Sequence, residues 1–287
     1  MAEEQKTVRE PGRGTLYLTA TPIGNLDDMT PRALAVLREA DLIAAEDTRR
    51  TLQLLNHFGI RGSLVRYDEN TKEREGPILL EKLLAGQDIA LVTDAGFPGI
   101  SDPGEAMARL ALDAGIRVVP VPGANACLTA LVASGLPSTP FFFGGFLPKT
   151  KKNRAAQLEA WKHIPATVVL YEAPHRIRDV LQEILAAWGD RPLAFGRELT
   201  KVHEEFWRGT VSGAIAYLAA TPPRGEFVLV IGQGDAVPPD PAEPAEEPLD
   251  TVRRLLAEGV PKKEALARVA KERKVPKREL YNALLKD

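Results

Sequence analysis

Residues 91–104, LVTDAGFPGISDPG, decide how the chain is read. The apolar run 89–92 ends at Thr93-Asp94 and opens into a loop with Gly96, Pro98 and Gly99, which Ser101-Asp102-Pro103 closes before a helical pattern begins. The pattern is strand, glycine-rich loop, helix, with Asp102 able to cap the helix and Pro103 suited to its first position. Open α/β sheets bind ligands beyond the carboxyl ends of their strands, where this loop falls. Between Gln87 and Met107 there is no Lys or Arg, but there are Asp88, Asp94, Asp102 and Glu105. A polyphosphate therefore fits poorly, and neither G-x-x-x-x-G-K-[ST] nor G-x-G-x-x-G is present. A cationic ligand fits better. S-adenosylmethionine carries a sulfonium and an ammonium for the carboxylates, and a carboxylate for the N–H groups of a helix start. The competing reading is a tight connection ending in a capped helix.

Outward from this loop the first half alternates in the βα manner. Strand-like runs at 15–20, 42–45, 63–67, 89–93 and 118–121 are separated by helical patterns at 31–39, 48–57, 76–85 and 103–114. A largely parallel sheet follows, with the loops after its strands on one edge. From Pro140 a second α/β block runs through an aromatic strand 141–146, a basic helix 149–161, a strand 167–171, an amphipathic helix 177–188, and strands 193–197, 206–211 and 227–231 of a mixed sheet. Residues 234–248 are rich in Pro and acid and read as a linker. Beyond them 249–257, 262–273 and 277–285 read as three short helices, the last pair resembling a helix-turn-helix. The expected organisation is a disordered start 1–13, α/β domains 14–138 and 139–233, the linker, and a helical module 249–287.

With 287 residues, 44% of them hydrophobic, the chain can bury a full core. No apolar run approaches a membrane span and the start is acidic and polar, so a cytoplasmic protein without a membrane partner is expected. The single Cys127 excludes a disulfide framework, and the four histidines form no metal-ligand spacing. A net charge of −2 hides an asymmetry: residues 249–287 hold eleven Lys/Arg against six Asp/Glu. A basic tail on an acidic body suggests a nucleic-acid partner, the competing reading being a solvated helical face.

Seven stretches, TATPIGNLDDMTPRA, IAAEDTRRTLQLL, LVTDAGFPGISDPG, VPGANA, YEAPHRI, RELTKVHEE and RGEFVLV, resemble in order and spacing the bacterial small-subunit ribosomal RNA cytidine 2′-O-methyltransferases. These belong to the tetrapyrrole (corrin/porphyrin) methylase superfamily, and the resemblance covers about residues 14–287. It implies two α/β domains with S-adenosylmethionine in the cleft between them, a homodimer, and methylation of a cytidine ribose 2′-hydroxyl in the decoding region of the small ribosomal subunit RNA. Carried over by position, the cofactor site would include Thr21, Pro22, Gly24 and Asn25; Asp94, Ala95 and Gly96; Ile100, Ser101 and Asp102; Pro122, Gly123 and Ala124; and Tyr171, with 225–228 closing the cleft. Arg66-Tyr67-Asp68-Glu69-Asn70 stands where the family has a histidine-containing run, which argues against those histidines as the essential base.

Methyl transfer from a sulfonium is an in-line displacement, so positioning dominates, but some group must take the hydroxyl proton. Asp47, Glu69, Asp94, Glu172, His203 and Glu204 are the candidates. Asp47 or Glu204 is preferred, with Lys201 beside the reacting centre; each acid could equally be a helix cap or the partner of an arginine such as Arg49 or Arg197. Candidate RNA contacts are Lys149, Lys151, Lys152, Arg154, Arg176 and Arg197, and in the tail Lys262, Lys263, Lys277 and Arg278. Two readings compete: a methyltransferase acting on a small molecule such as a tetrapyrrole, which would need no basic tail, and a non-catalytic ribosomal RNA binder, which would need no cofactor loops.

Overall fold

Strands β1 (Thr15–Thr19), β2 (Leu42–Ala45), β3 (Leu64–Arg66), β4 (Ile89–Val92) and β5 (Arg117–Val121) form a parallel sheet in the order β3-β2-β4-β1-β5. The computed structural model describes residues 11–234, 248–273 and 275–284. Central strands read as unbroken apolar runs because both faces are covered. Ile43, Ala45, Ala90 and Val92 pack with Ala33 and Leu37 of α1 (Pro31–Glu39) and Leu55 of α2 (Thr48–His57). On the other face Ala44, Ile89 and Leu91 meet Leu79 and Leu83 of α3 (Lys72–Leu84) and Met107 and Ala111 of α4 (Gly104–Asp113).

Helix α3 begins four residues before the expected start. The Asp68 carboxylate accepts the Asn70 and Thr71 N–H groups at 3.1 and 2.9 Å, and its carbonyl accepts Lys72 N–H at 2.9 Å. That turn starts the helix upstream and leaves Pro77 inside it, where Gly76-Pro77 reads as a boundary signal. Of the start expected to be disordered, residues 1–10 lie outside the described residues, while Arg13 donates to Ala114 O at 2.9 Å.

The second sheet holds β6 (Phe141–Phe146), β7 (Thr167–Glu172), β8 (Pro192–Arg197), β9 (Glu205–Thr210) and β10 (Phe227–Ile231) in the order β6-β7-β10-β8-β9. Only β6 and β7 are parallel, so the sheet is mixed, as the sequence suggests. Its outer face packs on α6 (Lys151–Trp161), α7 (Ile177–Trp188) and α8 (Val211–Ala220). Sequence reading misses α8, because VSGAIAYLAA is apolar nearly all round and carries no charge to mark a polar face. Thr210 caps it, accepting from Gly213 N–H at 3.3 Å, and Val211, Ala214 and Leu218 face the core.

The inner face receives α5 (Ala126–Ala133), which leaves the first sheet after β5 and lays Cys127, Ala130 and Leu131 against Val169, Ala194, Val228 and Val230. This helix couples the two sheets. Burial pushes the Cys127 thiol up to about 11, which leaves it unreactive at neutral pH. A bulge between Phe143 and Gly145 interrupts the β6–β7 pairing ahead of Phe146, which packs edge-on against Tyr171 with ring centres 5.5 Å apart.

Contacts divide the chain into Met1–Asp235 and Ala236–Asp287. Residues 235–247, most of the expected linker, lie outside the described residues. The second unit consists of α9 (Pro248–Ala257), α10 (Lys262–Arg273) and α11 (Lys277–Leu284) around Val252, Leu255, Ala265, Leu266, Val269 and Leu280.

Candidate active site

Two adjoining cavities open at the carboxyl edge of the first sheet. The first, of about 520 Å³, is lined by the 93–97 and 100–102 segments, by Asn125 and Ala126 at the start of α5, and by Phe146, Tyr171, Glu172, Phe227 and Val228 of the second sheet. The second, of about 500 Å³, lies between loop 21–24 and one side of α2. Asp94, Ala95, Arg50, Lys201 and Glu226 border both.

Local chemistry fixes the central loop. Thr21 and Gly96 exchange both backbone hydrogen bonds, at 2.9 and 3.1 Å, and the Thr21 hydroxyl donates to Thr93 O at 3.2 Å. Asp102 does more than cap α4. Its carboxylate accepts the N–H groups of Gly99, Ile100 and Gly104 at 2.7–3.1 Å, so of the N–H groups expected to receive a ligand carboxylate at this helix start, that of Gly104 is already used. The helix start at the cavity is that of α5, where Asn125 and Ala126 line it. Among the described residues, every non-glycine with positive φ lies on this rim: Ser101 at 67°, Glu198 at 50° and Thr200 at 64°. Gly24 permits the approach of that 198–201 loop, since a β-carbon there would lie 2.8 Å from Leu199 O.

The first cavity is acidic. Glu46, Asp94, Asp102, Glu172 and Glu226 line it against Arg50 and Lys201. Burial raises the Glu46 carboxyl above its ordinary value, and the charges of Asp94, Asp102 and Asp68 add to the rise; the Asp94 N–H, donated to Glu46 Oε2 at 3.2 Å, opposes it. Glu172, 2% exposed, is likewise raised by burial. Its Oε1 accepts Ala173 N–H at 2.8 Å and lies 3.3 Å from Arg176 Nε, while Oε2 has no partner among the described residues. Asp94 accepts Asp47 N–H at 3.0 Å and pairs with Arg50 at 3.2 Å.

Of the residues expected at a cofactor site, Asp94 and Ala95 border both cavities, Gly96, Ile100, Ser101, Asp102 and Tyr171 line the first, and Thr21, Pro22 and Gly24 line the second. Asn25 lines neither, since its side chain caps the turn after it by accepting Asp27 N–H at 3.1 Å. Pro122, Gly123 and Ala124 also line neither; a β-carbon on Gly123 would lie 2.9 Å from Ala20 Cβ, so packing explains that glycine.

The preferred proton acceptors need correction. Asp47 lines neither cavity, and its carboxylate takes Arg49 Nε, Nη2 and N–H at 2.9–3.1 Å, which holds it far below the usual carboxylate range. Glu204 also lines neither and accepts Thr200 N–H at 2.7 Å. Lys201 borders both cavities, with Nζ 2.9 Å from each of Glu198 and Glu226. Sequence reading passes over Arg50, Phe97 and Phe146 in the lining, because nothing local distinguishes them from solvated or core side chains.

Three expected RNA contacts serve the fold. Arg154, 8% exposed, pairs with Glu183; Arg176 donates to Leu147 O at 2.9 Å and sits against Glu172; Arg197 pairs with Glu205 at 2.8 Å. Lys149, Lys151 and Lys152 are exposed near the start of α6, and Lys262, Lys263 and Lys277 in the helical unit. Lys262 also lies over the Tyr281 ring at 5.0 Å, and Lys277 Nζ donates to Lys263 O at 3.1 Å. The side chain of Arg278 lies outside the described residues.

Residues 15–215 match the family model of the tetrapyrrole (corrin/porphyrin) methylases. Similar proteins named ribosomal RNA small subunit methyltransferase I include those of Halalkalibacterium halodurans, 48% identical over 98% of both chains, and of Bacillus subtilis, 47% identical over 94% of both. Among solved structures, the methyltransferase CobJ shares the fold with a TM-score of 0.59 and 21% identity, over 77% of this chain and 94% of that one. A Thermus thermophilus uroporphyrin-III C-methyltransferase, solved in complex with S-adenyl homocysteine, does so with a TM-score of 0.54 and 21% identity, over 76% and 97%. With that span and those identities, this chain belongs to the tetrapyrrole (corrin/porphyrin) methylase family, in the group of the small-subunit ribosomal RNA methyltransferases I.

Proposed function

We propose that the chain methylates the ribose 2′-hydroxyl of a cytidine in small-subunit ribosomal RNA, using S-adenosylmethionine. The observation that carries this reading is an acidic cavity joined, at Asp94 and Ala95, to a second cavity where Arg50 and Lys201 balance Asp94 and Glu226. The first suits a cation. Its excess of carboxylates, and the buried Glu172 oxygen without a hydrogen-bond partner among the described residues, fit a ligand bearing a sulfonium and an ammonium. S-adenosylmethionine supplies, when bound, a methyl group on a sulfonium leaving group.

The chain's own residues then have three tasks. Tyr171, Phe146, Phe227 and Val228 exclude water from the first cavity. Asp94, held by Asp47 N–H and Arg50, keeps the junction between the cavities in one geometry. Glu46 takes the proton from the 2′-oxygen, since it lines the first cavity and its raised pKa makes it a stronger base than an exposed carboxylate. Lys149, Lys151 and Lys152 at α6, with Lys262, Lys263 and Lys277 in the helical unit, supply cations for RNA phosphates. The same reading makes the protein a cytoplasmic homodimer, with exposed Leu128 and Val132 of α5 covered by the second copy. No helix among the described residues is long and apolar enough to cross a membrane.

The direct test is transfer from labelled S-adenosylmethionine to small ribosomal subunits lacking the modification, with nuclease mapping of the label. A labelled cytidine ribose is expected; no label on the subunit, with cofactor still bound, overturns the reading. Removing residues 240–287 should weaken RNA affinity and flatten its salt dependence by roughly 0.7–0.9 in log–log slope for each phosphate that is no longer neutralised, without changing cofactor affinity. An unchanged slope would remove the helical unit from RNA binding.

A further inference from the structure

We propose that the second cavity seats the acceptor nucleotide, extruded from the RNA, and that Gln53 on α2 binds its base. This assignment rests on the methyltransferase reading above.

Helix α2 turns two faces inward. Thr51 and Leu55 are buried towards the sheet, while Arg50, Gln53, Leu54 and His57, at i, i+3, i+4 and i+7, form the adjacent stripe that walls the second cavity. On the opposite wall stand Thr21, Pro22 and Gly24, and at the inner end Asp94 and Ala95 join it to the first cavity. A volume of about 500 Å³ accommodates one nucleotide and falls within the usual range of small-ligand sites, ~300–1,000 Å³. The charge is balanced here, and the lining mixes apolar Ile23, Leu26 and Leu54 with an amide and an imidazole, as suits a neutral aromatic base. An enzyme acting on one nucleotide of structured RNA must take it out of its stack and read its Watson–Crick edge.

Cytosine presents on that edge a donor at N4 and acceptors at N3 and O2. A single carboxamide supplies the matching acceptor and donor side by side, and Gln53 is the one carboxamide on the stripe. Its exposed position on α2 makes it dispensable for the core. The Arg50 guanidinium, paired with Asp94 at the junction, is placed for O2 or the ribose. Because the same amide, turned over, also matches the O4 acceptor and N3–H donor of uracil, Gln53 is a base-positioning residue for a pyrimidine edge, acting on the acceptor and not on the methyl donor.

The test compares wild type with Gln53→Leu and, as a control on the same helix, Asn56→Ala, whose side chain lines neither cavity. Substrates are unmodified small subunits and subunits carrying uridine at the mapped position. For Gln53→Leu, kcat/KM on the cytidine subunit should fall roughly 10- to 100-fold, the effect expected for one bidentate base contact, and any activity on the uridine subunit should fall by a similar factor. Cofactor Kd should stay unchanged, and Asn56→Ala should match wild type. If Gln53→Leu retains the wild-type rate while wild type labels the cytidine, the subsite is wrong and the methyltransferase reading stands. A loss of rate accompanied by a loss of cofactor affinity also overturns the base-binding role. If wild type labels no cytidine, the function and the subsite fall together.

Discussion

Replacing Glu46 by glutamine will lower the single-turnover methyl-transfer rate by about 10²- to 10⁴-fold at saturating cofactor and RNA, the range that a positioned base contributes. Asp47→Asn will stay within a few-fold of wild type. These neighbours in sequence differ in what surrounds them. Asp47 is neutralised by Arg49, two residues on, and its depressed pKa makes it a poor proton acceptor. Glu46 lines the first cavity with no arginine on its carboxyl among the described residues, and burial raises its pKa above 4.5. The sign of the pH effect follows. Glu46 works only as the carboxylate, so the wild-type rate should fall as pH drops through a value above 4.5, and that limb should vanish from the residual rate of Glu46→Gln. Folding changes in the opposite sense. An acid whose pKa rises on folding destabilises the fold once ionised, so Glu46→Gln should be at least as stable as wild type at about pH 7. A Glu46→Gln enzyme with the wild-type rate would remove this residue from the chemistry.

What the sequence makes legible is what its neighbours in sequence dictate. Helices α1, α2 and α7 and strands β2, β6 and β10 appear at their expected bounds, because amphipathic period, Thr30 and Asp47 as caps, and unbroken apolar runs are local signals. The central loop is legible for the same reason, its glycines and Asp102 lying close together in the chain. Helix α8 escapes because its burial on the second sheet, not any polar face, makes it helical. The site divides in the same way. Loop residues are readable, but proposing Glu46 and not Asp47 as the base rests on where each side chain points. Of the three arginines expected at RNA, Arg154 finds its carboxylate 29 residues on, Arg197 finds one across a strand pair, and Arg176 finds one four residues before it, just ahead of α7. Composition shows a basic residue, and only the fold shows whether a carboxylate is waiting for it.

Arg154 is the clearest such case. Within the run Lys149-Thr150-Lys151-Lys152-Asn153-Arg154 it is the residue turned inward, donating to both Glu183 oxygens at 2.7 and 2.8 Å, and to Lys149 O at 3.0 Å. The pair is about nine-tenths and four-fifths buried, so solvent screens it little. Arg154→Ala leaves Glu183 buried without its partner and should cost about 3–5 kcal/mol, whereas Arg154→Met with Glu183→Leu, which removes both charges, should recover much of that. Glu183 is held below its ordinary value of 4.5 by the Arg154 hydrogen bonds. Its contribution is therefore fully present above pH 4.5 and is lost as pH falls through the depressed value, so the gap between wild type and Arg154→Ala should close in acid. The salt slope of RNA binding should not change in Arg154→Ala, while Lys151→Ala with Lys152→Ala should reduce it at full stability. The reverse, a stable Arg154→Ala with a flattened slope, would return this arginine to the RNA surface. Expected instead is a scaffold that holds the backbone at Lys149, so that the outward lysines of α6 start from a fixed position.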